Sequence, residues 1–291
     1  MAPPAPASPS PPLAATAEHL NALSPYIRYG AEPPTGEGWY PLARVAEGDL
    51  VPGWHQELSR RTGDARVAGA HLSAWLIAAA LDVWLMPVVV ASRLPLAGPD
   101  RAFIHRGPEG WFDAVAVDGR EAAVLPGDPA AGAPGTRVLA SRDELLDAFA
   151  ERLLALEPVL RAAAAGCRRT EASAWSELAD RLAARSLWLA RLAGRDRAET
   201  WADAAAVMDR LAAGSGRLRT RPRPFIVRYS GGEEWFAVAS VCCLHYRIVP
   251  GADPDGTGYC ATCPLRTDAG RERELRERLE AEAAGKGAGS S

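Results

Sequence analysis

At 291 residues, with 48% hydrophobic and 24% charged side chains and a net charge of -3, the chain can bury a substantial core and carries no overall bias toward nucleic acid or a membrane surface. Its one lysine, Lys286, stands in a Gly/Ser-rich tail, which removes the chemistries that need a placed lysine: P-loop phosphate binding, kinase-type phosphoryl transfer and pyridoxal Schiff-base catalysis. Five cysteines are an odd number for a disulfide scaffold, and the opening MAPPAPASPS has neither a basic n-region nor an apolar h-region, so reduced thiols and a cytoplasmic location are expected.

Residues 1–16 are rich in Pro, Ala and Ser and are expected to be disordered. From 17 to about 62, short helical pieces alternate with Pro/Gly turns such as Pro33-Pro34-Thr35-Gly36. Residues 71–91 (HLSAWLIAAALDVWLMPVVVA) are long and apolar enough to suggest a membrane span. Asp82 near the centre would cost about 3 kcal/mol in a bilayer and Pro87 interrupts the helical pattern, so no transmembrane segment is expected but a buried core helix followed by a short extended run. His71 and Asp82 read as satisfied polar groups of that core.

Residues 101–105 and 111–117, separated by the turn-forming 106–110, form a β-hairpin pattern, and a Pro/Gly loop follows near 126–135. Ser141-Arg142-Asp143-Glu144 is a capping box that opens a helix with Leu145, Phe149, Leu153 and Leu156 on one face and a kink at Pro158. Cys167, between helices, reads as a small buried residue. Two more helices are expected at 171–192, with Trp175, Leu178, Leu182 and Leu189 inward, and at about 198–213. Gly214-Ser215-Gly216 leads into arginines and prolines and does not open a helix after a strand, so no dinucleotide site is expected. The arginines from Arg217 to Arg228 read as a solvated linker and strand face. A second hairpin, 225–229 and 235–241, delivers the chain into Cys242, and 271–284 is a highly charged helix before the Gly/Ser tail. The resulting fold class is α+β: a mainly helical domain over 17–222 that includes a β-hairpin, a small C-terminal β-hairpin module over 223–268, and a charged helix and tail over 269–291.

Four of the five cysteines, Cys242, Cys243, Cys260 and Cys263, fall within 22 residues, a metal-ligand pattern rather than a packing one. Cys260 and Cys263, followed by Pro264, suit the tight turn in which two thiolates grip one metal ion while backbone N–H groups face the sulfurs. Cys242 and Cys243 discriminate further. Neighbours on an extended strand point to opposite faces and need a sharp turn or bulge to approach one point, a demand that two separate irons relax and a single tetrahedral zinc does not. A 2Fe-2S cluster leads on this chemistry, with zinc and a redox disulfide or free thiols as alternatives. His245, two residues past Cys243, reads as a neighbour of the site, since four cysteines complete a ligand set.

Cys242-Cys243-Leu244-His245-Tyr246-Arg247 followed by Tyr259-Cys260-Ala261-Thr262-Cys263-Pro264-Leu265 resembles the C-terminal motif of the FhuF-type ferric-siderophore reductases, a Cys-Cys pair, about ten residues, then Cys-x-x-Cys. The resemblance implies that the four cysteines ligate a 2Fe-2S cluster, with Tyr246 and Arg247 in the motif's flank. It implies a cytoplasmic oxidoreductase of iron acquisition that reduces a ferric siderophore, of hydroxamate type in the first instance, with electrons from a ferredoxin or a flavin-dependent reductase. It covers about residues 236–266 strongly, and Trp175-Ser176-Glu177-Leu178 more faintly. Two departures stand out: sixteen residues separate Cys243 from Cys260, and Ala239-Ser240-Val241 stands where family members often carry arginine. The extra loop residues are turn formers that can project outward without moving the cysteines. Trp111 and Trp235, on the two hairpins, are candidates to line a siderophore site. Two other readings fit the sequence: a zinc-stabilised siderophore-binding or biosynthesis-associated protein, and an iron-sulfur sensor of redox or iron state.

Overall fold

A computed structural model of the protein describes residues 11–288, with side chains described through residue 284. The expected disorder of residues 1–16 lies outside the described residues for 1–10. Residues 14–16 belong to helix α1 (Ala14–Leu23), which is anchored by the fully buried Leu13 and Leu20. Strands β1 (Arg28–Gly30) and β2 (Trp39–Pro41) and helices α2 (Leu42–Ala46) and α3 (Leu50–Thr62) follow.

The centre of the molecule is α4 (Ala65–Ala91), capped by the Asp64 carboxylate, which accepts from the Arg66 and Val67 N–H groups. It is apolar on every side because it is surrounded, with α1, α3, three of the later helices and strands of the main sheet packed on it. In length and apolarity α4 meets the description of a membrane-crossing helix, and 78% of its most apolar window is buried inside the protein. Gly69 permits close approach to another backbone: a Cβ there would collide with the carbonyl oxygen of Cys167.

The expected break at Pro87 does not occur, and the helix runs through it to Ala91. Proline leaves the carbonyl four residues earlier, that of Val83, without its helical donor. The buried Tyr29 hydroxyl donates to that oxygen at 2.7 Å. Tyr29→Phe is therefore expected to lower the unfolding free energy by about 1–3 kcal/mol, the penalty of stranding a buried acceptor, measurable by denaturant titration. An unchanged midpoint would remove this account of the uninterrupted helix.

After β3 (Leu94–Pro95), the predicted hairpin forms from β4 (Ala102–Arg106) and β5 (Phe112–Val117). β5 pairs in parallel with β1 and β4 antiparallel with β2, giving the order β1-β5-β4-β2. β6 (Ala122–Val124) and β7 (Thr136–Val138) complete a second small sheet with β3.

Helix α5 (Arg142–Leu154) opens on the capping box: the Glu144 N–H donates to Ser141 Oγ at 3.2 Å, and the Glu144 carboxylate accepts from the Ala140 N–H at 2.7 Å. Pro158 does not kink this helix. The chain turns at Ala155, and Pro158 is the second residue of α6 (Glu157–Gly166), where its missing N–H removes no helical bond. α7 (Glu171–Leu192) matches the expected span and packs on α4 and on α8 (Arg197–Ser215).

The C-terminal hairpin, β8 (Arg223–Tyr229) and β9 (Gly232–Val238), ends three residues earlier than the sequence suggests, because the N–H groups of Ser240 and Val241 bond to the Asp180 carboxylate instead of a neighbouring strand. The charged helix is α9 (Asp268–Ala288), whose buried Leu275 and Leu279 meet Val227 in a small core of their own. Helices dominate, the sheets are small, and the fold is α+β with a C-terminal hairpin, as expected from the sequence.

Candidate metal centre

The two cysteine segments lie side by side, with the Ala239 N–H donating to the Thr262 carbonyl at 3.0 Å. A sharp turn follows the vicinal cysteines at Leu244, a non-glycine residue in the left-handed region (φ 61°), after which residues His245–Ile248 make a 3₁₀ turn. Holding a leucine there costs about 1–2 kcal/mol, which the surrounding contacts must offset. Cys242 and Cys243 meet different partners: Cys242 Sγ lies 3.8 Å from Cys263 Sγ, and Cys243 Sγ lies 3.3 Å from Cys260 Sγ. The Cys260–Cys263 turn forms, with the Cys263 N–H on the Cys260 carbonyl at 2.9 Å. Its two sulfurs contact different partners, Cys243 and Cys242. Among the described residues, no three His, Cys, Asp or Glu side chains are gathered as a site for a single ion.

Backbone donors face the sulfurs. The Leu244 N–H reaches Cys242 Sγ at 3.3 Å, the N–H groups of His245 and Leu265 help hold the Cys243 and Cys263 thiols down, and the Arg266 N–H donates to the Cys263 carbonyl at 3.2 Å. Within each pair one thiol gives up its proton easily. The hydrogen bond from Cys260 holds Cys243 down at about 4, and the one from Cys242 holds Cys263 at about 7. Cys260 and Cys242 are pushed up, first because each donates a hydrogen bond to its partner sulfur, then by burial, and last by the charge of the neighbouring thiolates.

Sequence reasoning missed Asp180. It accepts from the Ser240 N–H, the Ser240 hydroxyl and the Val241 N–H, all at 2.8 Å, so α7 holds the chain immediately before Cys242. Burial pushes its carboxyl up to about 6. The neighbouring Arg181 pairs with Glu177 at 3.1 Å, and Ser176 Oγ accepts from the Thr220 N–H at 3.3 Å. The faint likeness at Trp175-Ser176-Glu177-Leu178 was the available signal for this face of α7.

His71 is not the satisfied core group expected. It is half-buried, its ring stacks on His245 (centroids 5.5 Å apart), and both line a hollow of about 590 Å³ with Trp75, Arg181, Cys243 and Cys260. Helical periodicity marks His71 as lying on a packed helix but does not say what packs there. Asp82 is satisfied, by the Arg185 guanidinium at 3.0 Å. His245 stands beside the cysteines, as expected.

The sixteen-residue loop is tied down at its base. Tyr246 and Tyr259 stack in parallel with ring centroids 4.8 Å apart. Arg266 donates to the Gly256 carbonyl at 2.7 Å, and the buried Arg271 donates to the Cys263 carbonyl at 2.8 Å. Arg247 pairs with Asp64, the cap of α4, at 3.1 Å. Arg217, Arg221 and Arg223 make surface ion pairs with Glu171, Asp209 and Asp268, in keeping with a solvated face. Cys167 is buried and its thiol pushed up to about 12, an unreactive packing residue.

Oxidation without metal is expected to join Cys243 to Cys260 and Cys242 to Cys263, since these sulfurs need close only to about 2.05 Å. Peptide mapping by mass spectrometry reads the connectivity directly, and a dominant Cys242–Cys243 or Cys260–Cys263 bond would contradict the crossed geometry. Compared with family models, curated proteins and solved structures, the chain finds no match in any of the three.

Proposed function

We propose that this protein is a ferric-siderophore reductase in which Cys242, Cys243, Cys260 and Cys263 hold a 2Fe-2S cluster. The observation that carries the reading is the crossed pairing: two sulfur pairs, each drawn from both segments. A single tetrahedral zinc would need all four sulfurs mutually about 3.8 Å apart, given Zn–S bonds of about 2.3 Å. Two metal atoms, each held by two thiolates, call for two such pairs, and metal and sulfide analysis separates the cluster from the zinc-stabilised alternative. The donor set fits the group: four thiols, N–H groups directed at the sulfurs, and in each pair one sulfur already disposed to ionise.

When bound, such a cluster supplies one electron at a time, at potentials that reach about -400 mV and below. One electron is what ferric iron among hard oxygen donors requires, since the ferrous ion is held far more weakly by the same ligands. The chain's own residues do the rest. Asp180 and Leu244 set the path of the cysteine segment, Arg271 and Arg266 fix the second segment, and the hollow beside Cys243 and Cys260 gives access from outside. A cytoplasmic location, a ferredoxin or flavin-dependent reductase as electron donor, no nucleic-acid partner and no transmembrane segment complete the proposal.

Stopped-flow mixing of the chemically reduced protein with a panel of ferric chelates tests it. Reoxidation at a rate that saturates with a ferric hydroxamate, with ferrous iron caught by a trap and no effect of NADPH alone, is the expected result. A cluster that stays reduced before every ferric siderophore would remove the reductase reading and leave the sensor in its place.

A further inference from the structure

A second, larger cleft, of about 1000 Å³ and open to solvent, lies between α4 and the turn of the β4–β5 hairpin. Its walls are aromatic and its middle is lined by small residues: Trp75 and Ala78 come from α4, Trp111 from the hairpin turn and Tyr26 from the segment before β1. Tyr26 is 77% exposed and Trp111 55%, so two of the few exposed large apolar side chains among the described residues stand at one cleft. Trp75 belongs both to this cleft and to the hollow that opens on Cys243 and Cys260. The rings continue without a gap: Trp111 to Trp75 at 6.3 Å, Trp75 to His71 at 5.6 Å, His71 to His245 at 5.5 Å. A row of four rings thus leads from the cleft to the sulfurs.

The charges in the cleft select the occupant. Among its described lining residues the only cation is Arg185, which is engaged by Asp82, and the other carboxylate, Asp113, is engaged by His105 at 2.6 Å. No cation is left over for a chelate of high negative charge, such as a trianionic tris-catecholate. A tris-hydroxamate of ferric iron is neutral at the metal and presents methylene chains that suit aromatic walls. We propose that this cleft, walled by Trp75 and Trp111, is the docking site for a ferric trihydroxamate, an inference that rests on the reductase reading for the identity of its occupant.

Docking is separable from reduction with gallium(III), which is similar in size to ferric iron and is not reduced. The gallium(III) complex of a linear trihydroxamate, titrated by calorimetry into the purified full-length protein, is expected to bind with a single site per chain. Trp111→Ala removes an exposed ring and Ala78→Trp fills a half-buried part of the cleft; each is expected to weaken binding about tenfold or more, with the visible spectrum unchanged. Trp235→Ala, on the other hairpin, is expected to bind as wild type, and gallium(III) tris-catecholate at least about tenfold more weakly than the hydroxamate. Wild-type affinity in both cleft variants, equal affinity for the catecholate, or no binding of the gallium hydroxamate at all would each overturn the assignment. Should the cleft variants bind normally while ferric trihydroxamate still reoxidises the reduced protein, the docking site fails and the reductase stands. Gallium binding lost in both variants, with no reduction of the ferric complex by wild type, supports the docking site and removes the reductase.

Discussion

Serine at any one of Cys242, Cys243, Cys260 or Cys263 is expected to leave the purified protein with little iron or acid-labile sulfide, against about two irons per chain in the wild type, while Cys167→Ser retains both. Each sulfur pair draws one member from each segment, so a single replacement halves one pair and removes one of the two connections between the segments. A serine hydroxyl is a much poorer ligand, because it does not ionise near neutrality as a thiol does. Cys167 serves as the control because it is buried against α4, its thiol is pushed up to about 12, and it has no part in either pair. Metal and sulfide analysis of anaerobic preparations decides the matter. Full iron in Cys243→Ser with loss in His245→Ala would mean that the imidazole, not the thiolate, is the ligand. About one zinc per chain and no sulfide would restore the zinc-stabilised alternative.

Asp180→Ala is expected to accelerate loss of the cluster to a chelator by about tenfold or more, although the residue is no ligand. Its carboxylate is the acceptor for both N–H groups that precede Cys242, and removing it strands two donors at about 1–3 kcal/mol each if they stay buried. The cheaper response is for residues 239–241 to move, and Cys242 with them. Asp180→Asn keeps the shape and one acceptor oxygen but turns a donor toward the other N–H, so an intermediate rate is expected. Bleaching of the visible absorption under excess chelator measures all three proteins. A wild-type bleaching rate in Asp180→Ala would show that the turn at Leu244 holds the cysteines without help from α7.

Much of this was legible in the sequence, and the limits of legibility have physical causes. Local patterns read well: the capping box at Ser141, the span of α7 and both hairpins follow from neighbours within a few residues of one another. The four cysteines were legible because their spacing is itself the signal. Pro87 misled because the partner that makes it tolerable, Tyr29, lies far away along the chain. His71 and Asp180 were missed for the same reason. Each acts on the cysteine segments across a long stretch of sequence, and nothing in a helix's own periodicity records which later loop will settle against it. The crossing of the sulfur pairs was likewise invisible, since it depends on how two segments separated by sixteen residues settle against each other, which spacing alone does not record.

That crossing has a consequence for assembly. Two strips of chain joined at one point by a bridge, whether a metal or a disulfide, hold their remaining two sulfurs at a very high effective concentration, because no residue separates Cys242 from Cys243 and only two separate Cys260 from Cys263. The second bridge then closes with almost no further loss of chain entropy. Forming the first is the slow and unfavourable event, since it must close the ring of residues 244–259. Half-bridged molecules should accordingly be scarce at equilibrium, and the site should fill and empty as one unit.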